Sequence, residues 1–266
     1  MPPADKHRAR KRFGQNFLHD ANIIERIIQS LDIKKEDSLV EIGPGHGALT
    51  DIIVEQCRHL DVIEIDRDLA AEFQWRYSDK DNFILHNTDV LKFDFAANLS
   101  TESKYKLIGN LPYNISTPLL FHLFKCKSLF SEMVFMLQLE VVDRICATPG
   151  SKNYGRLSIM SQYHCNAAKL FKVPASAFNP QPKVESAIVR LVPLESPEYE
   201  AQNSQLLETV VRTAFSQRRK TIQNSLKSLL DKSLLEQVGI DGYRRPETMS
   251  LREYVSISNA LARVES

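Results

Sequence analysis

The sequence predicts an α/β fold: a mostly parallel sheet with helices on both faces, followed by a small all-helical domain. Three observations carry this. Through the first two thirds of the chain, short apolar runs rich in Val, Ile, Leu and Phe alternate with helix-length segments. A glycine-rich turn, "GPGHG", joins the first of these runs to the first helix that follows it. From about Ser204 onward only helical spacing of apolar residues is left. The 266 residues, 43% hydrophobic and 25% charged, form a globular composition with length for one large domain or a domain and an appendage.

The strands follow in order. "SLVEIG" is a strand, with a helix expected from about Ala48 to Cys57. "LDVIEID" is the next strand, with a helix expected from about Asp68 to Tyr77. "NFILHNTD", "YKLIGN" and "EMVFMLQ" continue the series as buried parallel strands. The pattern then changes. "LFKVP" and "SAIVRLVP" are separated by "ASAFNPQPKVE", with no helix-length segment between them, so they are expected to pair antiparallel as an edge unit. "PLESPEYEAQNS" is polar and carries two prolines, and reads as a linker. Beyond it Leu206, Val210, Val211, Ala214 and Phe215 recur at helical spacing, as do Ile222, Leu226, Leu229 and Leu230. The domain boundary is placed at 195/196: residues 1–195 form the catalytic domain and 196–266 the small helical one. A helical tail of about sixty residues buries only a marginal core by itself, so it is expected to pack on the rest of the chain.

The four cysteines form no CxxC and stand at no zinc spacing, which points to no metal and to a reduced, cytosolic protein. The N-terminus lacks the apolar stretch of a secretory signal, and no segment approaches the ~18 apolar residues of a membrane span. The formal net charge is only +1. Local charge says more. Lys6, Arg8, Arg10, Lys11 and Arg12 form one basic run, and Arg218, Arg219 and Lys220 a second. A single such run is ordinary solvated surface, but two flanking a catalytic core point to a phosphate-rich partner.

Gly43, Gly45 and Gly47 lie in the strand-to-helix turn, where backbone N–H groups can approach a ligand. Their spacing, GxGxG, departs from the GxGxxG of dinucleotide sites. His46 inside this turn is expected to face solvent. Glu64 closes the next strand, where a carboxylate can accept both ribose hydroxyls of an adenosine-containing cofactor; otherwise it is an exposed strand-end acid. Asp89 closes the third strand, and can accept an adenine amino group or cap the next segment.

"NLPYNIST" follows the buried strand "YKLIG". In a parallel sheet this strand end also faces the ligand. An exocyclic aromatic amine is a poor nucleophile because its lone pair is delocalised into the ring. Accepting hydrogen bonds from its two N–H groups corrects this, and the Asn110 side-chain oxygen and the Leu111 carbonyl are the candidate acceptors. Pro112 stiffens the turn, and Tyr113 offers a face for a base removed from its stack. A tight turn with a core Tyr would explain the proline alone. Methylation of an amine explains all these residue types together.

With "FGQNFL", "EIGPGHGALT", "EIDRDL", "GNLPYNISTPL", "YGRLS", "FNPQPKV" and "QRRKT" in that order, the chain resembles the bacterial small-subunit rRNA adenine dimethyltransferases from about Arg10 to the last helix. The resemblance implies a Rossmann-like class I methyltransferase domain and S-adenosylmethionine (SAM) as cofactor. It implies dimethylation of two adjacent adenosines in the 3′-terminal hairpin of 16S rRNA, within the pre-30S subunit, with a C-terminal domain that binds RNA; a cytoplasmic monomer is expected. It assigns Asn16 and Leu18 to the methionine side of the cofactor pocket, Gly43 to a backbone contact, Glu64 to the ribose, Asp89 to the adenine, and Asn110 to the methionine end and the target amine. Phe178 is implied as the second aromatic wall for the adenine, opposite Tyr113; a lone Phe is more often core. One departure is Leu139, which stands where the family pattern has a lysine and removes a possible phosphate contact. The competing readings are a 23S rRNA adenine methyltransferase, a non-catalytic RNA-binding assembly factor, and a nicotinamide dehydrogenase, in which the "NLPY" stretch has no role.

Overall fold

The computed structural model describes residues 16–265 apart from 101, 113 and 218. Strand β1 (Phe17–Leu18) leads into helix α1 (Ala21–Leu31). The Asp20 side chain starts that helix by accepting the N–H groups of Asn22 and Ile23 at 3.0 and 3.1 Å. Ile23, Ile27 and Leu31, four residues apart, form its buried stripe.

The alternating part of the chain then runs β2 (Ser38–Ile42), α2 (Thr50–Gln56), β3 (His59–Glu64), α3 (Arg67–Arg76), β4 (Phe83–Asn87), α4 (Phe95–Asn98), β5 (Tyr105–Asn110), α5 (Ser116–Lys125), β6 (Phe130–Gln138) and α6 (Leu139–Ile145). Helix α7 (Arg156–His164), β7 (Cys165–Val173), β8 (Phe178–Asn179) and β9 (Ser186–Pro193) follow. One seven-stranded sheet has the order β4-β3-β2-β5-β6-β9-β7. Strands β4, β3, β2, β5 and β6 are mutually parallel, and β9 runs antiparallel to β6. The expected neighbours β7 and β9 are adjacent, with β7 at the sheet edge and β9 between it and β6. A second, two-stranded sheet pairs β1 with β8 antiparallel, Leu18 facing Phe178. This is a Rossmann-like α/β fold with one antiparallel strand, β9, beside β6.

Every residue of β2 is buried, as an interior parallel strand requires. Opposite Ile42 on β5 lies Gly109. A Cβ there would stand 2.9 Å from the Ile42 carbonyl oxygen and 2.8 Å from the Leu111 side chain. The absent side chain lets β2 and β5 keep their spacing just before both strands end.

The chain divides into two compact units. One comprises residues 1–142 and 168–193, the other residues 143–167 and 194–266. Residues 143–167, placed in the first domain by the sequence reading, cluster with the C-terminal helices. In this second unit α7 packs on α8 (Ser204–Ala214) and α11 (Leu251–Glu265). The tail therefore does not build its core alone. Helices α9 (Ile222–Leu226) and α10 (Lys232–Gln237) complete the unit. Helix α9 stops at Leu226, so Leu229 and Leu230 lie in the turn after it rather than on a continuing helix. Among the described residues no helix is long and apolar enough to cross a membrane.

Gly109→Ala is expected to destabilise the fold by about 1–3 kcal/mol, the usual cost of overpacking a filled core. The check is the urea midpoint of the variant against the parent chain. An unchanged midpoint would show that β2 and β5 can part here without strain.

Candidate active site

From β2 the sheet grows outward through β3 to β4, and the chain then returns to lay β5 on the other side of β2. At such a reversal the loops leaving neighbouring carboxyl ends diverge, and a crevice opens between them. A cavity of about 280 Å³ lies there, just under the roughly 300–1,000 Å³ typical of small-molecule sites. Its walls are the ends of β2 (Glu41 to Gly45), β3 (Ile63 to Ile65), β4 (Thr88 to Leu91) and β5 (Asn110 to Pro112), closed by Asn16, Phe17 and Leu18. Asn16, Leu18, Gly43, Glu64, Asp89, Asn110, Leu111 and Pro112, far apart in sequence, thus meet in one space.

The glycine turn is held from two sides. Gly43, Gly45 and Gly47 all have positive φ, which an L side chain rarely adopts. At Gly45 a Cβ would also press to 3.0 Å from the Phe17 ring. That ring lies on the imidazole of His46, with centroids 3.9 Å apart, and His46 is exposed as expected. Underneath, Arg76 donates to the His46 carbonyl at 2.9 Å and pairs with Glu72, while Asp51 accepts from the Tyr77 hydroxyl. A guanidinium from α3 therefore fixes the backbone of a turn thirty residues earlier.

Three carboxyl groups line the cavity. Glu64 is 5% exposed and its Oε1 accepts the Asp66 N–H at 2.6 Å. Burial pushes its carboxyl up to about 7, against that N–H, which favours the ionised form. Glu41, 2% exposed, accepts the Thr50 hydroxyl at 2.6 Å, and burial pushes it to about 7 as well. Glu41 is the site residue that sequence reasoning missed. The available signal was an acid inside an otherwise apolar strand, where an ionisable group needs a reason to be buried. Asp89 is half-buried and accepts the Leu91 N–H at 3.0 Å. It caps the segment after β4, as one of the two expectations had it, and lines the cavity at once.

Asn110 ends β5, and its Nδ2 donates to the Asn16 carbonyl at 3.1 Å. A carbonyl can only accept, so the amide must turn its nitrogen to Asn16 and its oxygen to the opposite side. The Leu111 N–H donates to Met136 on β6 at 3.2 Å, and the Pro112 carbonyl accepts the Ile115 N–H at 3.1 Å, which starts the turn into α5. The stretch "NLP" is thereby fixed at each residue.

Phe178 is placed differently from the expectation. Its ring is 3% exposed and belongs to the hydrophobic core with Leu18, Ile23 and Ile27, outside the cavity lining. Its pairing with Leu18 makes it a support of the cavity wall. Tyr113, the basic run Lys6 to Arg12 and Arg218 lie outside the described residues. Leu139 is half-buried at the start of α6, its N–H donating to the Glu185 carbonyl at 2.9 Å.

The donor set can be matched to a ligand class. Glu41, Glu64 and Asp89 accept hydrogen bonds from hydroxyl and amino groups and favour positive charge. Among the described lining residues the only basic side chain is His46. A pyrophosphate would meet three carboxyl groups and no Lys or Arg, which disfavours a dinucleotide. A cationic adenosine derivative such as SAM fits the set.

The comparisons with known proteins agree with this chemistry. The family profile described as ribosomal RNA adenine dimethylase matches residues 6–263. The ribosomal RNA small subunit methyltransferase A of Pseudomonas putida is 53% identical, over 97% of this chain and 96% of that protein. The solved dimethyladenosine transferase of Plasmodium falciparum is 27% identical with a TM-score of 0.78, covering 91% of this chain and 95% of that one. The 23S rRNA methyltransferase ErmE, at 24% identity and a TM-score of 0.69 over 93% of this chain and 100% of that one, shares the fold. The chain belongs to the ribosomal RNA adenine dimethylase family.

Proposed function

We propose that this chain transfers methyl groups from SAM to the N6 amines of two adjacent adenosines in the 3′-terminal hairpin of 16S rRNA, as a cytoplasmic monomer acting on the assembling small subunit. The observation that carries the reading is the oriented Asn110 amide, set at a strand end in a cavity whose acidic walls suit a cationic nucleoside. The small-subunit substrate, rather than the 23S rRNA of ErmE, is supported by the name and the 53% identity of the Pseudomonas putida relative.

Bound SAM supplies an electrophilic methyl group on a positively charged sulfur. The rest is done by this chain's residues. Glu64 would accept the ribose hydroxyls, Asp89 the adenine amino group, and the Gly43 backbone would lie against the cofactor. Asn16 and Leu18 would close the methionine side. Glu41, buried behind the glycine turn, adds negative potential toward a cation. Asn110 Oδ1 and the Leu111 carbonyl would accept the two N6–H bonds of the target adenine. That directs the nitrogen lone pair at the methyl and stabilises the positive charge that develops on nitrogen during transfer. These acceptors are preorganised, because Asn16 and Met136 hold them before the base arrives. Tyr113, by sequence, follows them as the stacking face. The second unit, with Arg218, Arg219 and Lys220, would grip RNA phosphates.

The test is incubation of the purified chain with SAM and undermethylated small subunits, followed by nucleoside analysis of the 16S 3′ hairpin. N6,N6-dimethyladenosine is expected from the unchanged chain. Asn110→Ala should keep SAM affinity within a few-fold yet slow transfer by about 2.7–4 kcal/mol of barrier, the usual loss for one preorganised polar partner. No dimethyladenosine from the unchanged chain would reject the function, and near-normal transfer by the variant would reject the role of Asn110.

SAM affinity should also depend on pH. A carboxyl at about 7 is protonated below neutrality in the empty site and must ionise to accept two hydroxyls well. Affinity is therefore expected to rise from pH 6 to pH 8, approaching tenfold per unit where the group stays protonated. Glu64→Gln should bind SAM more weakly at pH 8, by about 1.5–3 kcal/mol for the lost charged acceptor, and with a shallower pH dependence. Calorimetry at both pH values on both proteins decides it. Equal affinity of the two proteins at pH 8 would remove Glu64 from the cofactor site.

A further inference from the structure

Gly109 is buried one residue before Asn110 and faces Ile42 on β2. Of the two atoms a Cβ there would press on, the Ile42 carbonyl oxygen at 2.9 Å is sheet backbone and gives little. The other, Leu111 Cδ2 at 2.8 Å, is the end of a flexible side chain and is the atom that would move. Residues two apart in a strand share a face, so the Leu111 side chain lies back over Gly109, in the space a side chain at 109 would fill. Leu111 is 1% exposed, so a displaced side chain needs an opening. A void of about 10 Å³ beside Gly109 is lined by Ile108, Asn110 and Met136 but not by Leu111, and offers no retreat. Leu111 does line the cavity, together with Pro112, Asn114 and Ile115. A side chain at 109 would therefore push Leu111 into the end of the cavity where the target amine is expected.

Dimethylation makes unequal demands on that end. In each transfer the amine lone pair forms an N–C bond as the S–C bond of SAM breaks. The bonding electrons stay on sulfur, and the nitrogen then loses one proton to water. The first transfer offers two N–H bonds to two acceptors, Asn110 Oδ1 and the Leu111 carbonyl. The second offers one N–H and one methyl group. The methyl is larger than the hydrogen it replaces and donates no hydrogen bond, so the wall must yield on one side. The Asn110 amide cannot turn away without giving up its bond to the Asn16 carbonyl. The Leu111 side is bounded by a side chain that already lies back.

We propose that Gly109 is a specificity-determining residue that sets how many methyl groups the amine receives: by giving the Leu111 side chain a place over the sheet, it leaves room for the first methyl during the second transfer. This rests on the proposed amine methylation and deepens it, from what holds the base to what fixes the product.

The test follows the two transfers separately, on undermethylated small subunits at saturating SAM, with nucleoside analysis that resolves N6-methyladenosine from N6,N6-dimethyladenosine. In Gly109→Ala the second transfer should slow about tenfold more than the first, so that the monomethyl nucleoside accumulates. Two further variants shorten the displaced side chain, Gly109→Ala with Leu111→Val and Gly109→Ala with Leu111→Ala. The ratio of dimethyl to monomethyl product should rise from the single variant through the Val pair to the Ala pair. Equal slowing of both transfers, or a ratio that does not rise along the series, would overturn the inference and leave Gly109 a role in the fold alone. If the single variant does not fold, the two pairs decide: a lower ratio with Val than with Ala is expected, and equal ratios would overturn it. Failure of the methylation reading would show separately, as an unchanged chain that forms neither nucleoside.

Discussion

The hydrogen bond from Asn110 Nδ2 to the Asn16 carbonyl joins residues 94 positions apart. It does two things. It draws Asn16, within the "FGQNFL" motif, to the end of β5, which closes the cavity on the side that the sheet does not line. It also decides which way the amide faces. Without that carbonyl the two ends of the amide could exchange, and an N–H donor would meet the N–H groups of an incoming amine. Backbone geometry, set by where two strands end, thus becomes the electrostatics of the site.

The remaining features serve this arrangement. The sheet reverses at β2 and β5, so the ligand space is there from the topology. Gly109 lets the two strands run close up to their last residues. The glycine turn has little support of its own, and Phe17 above with Arg76 below hold it in place. Glu41 and Glu64 sit in surroundings that resist charge, and burial pushes both carboxyls to about 7. A cation entering the cavity offsets that resistance. Such a site therefore selects for charge as well as shape, and the same acids disfavour a dinucleotide.

Much of this was legible in the sequence, and the rest was not for definable reasons. The strands of the parallel sheet are continuous apolar runs bounded by turn residues, so their order along the chain and most of their limits could be read. The glycine turn, Glu64, Asp89 and Asn110 stand at strand ends, and a parallel sheet brings such ends together. Arg76 was not legible, because nothing in α3 signals that its guanidinium reaches a carbonyl thirty residues earlier. Glu41 was hidden by the apolar run around it. Residues 143–167 look local to the sheet but join the C-terminal helices, a choice made by packing between distant segments. Phe178 shows the limit of motif reading. Its neighbours read as a rigid loop presenting an aromatic ring, while the ring lies in the core and the residue pairs across to Leu18.

A structure of the chain with bound S-adenosylhomocysteine tests the central claim most directly. The ribose hydroxyls are expected on Glu64, the adenine amino group at Asp89 and the sulfur on the Asn110 side of the cavity, with the Asn110 amide still donating to Asn16. The ligand bound in the reverse sense, with its adenine at Asn110, or an Asn110 amide released from Asn16 and facing the sulfur with its nitrogen, would contradict it.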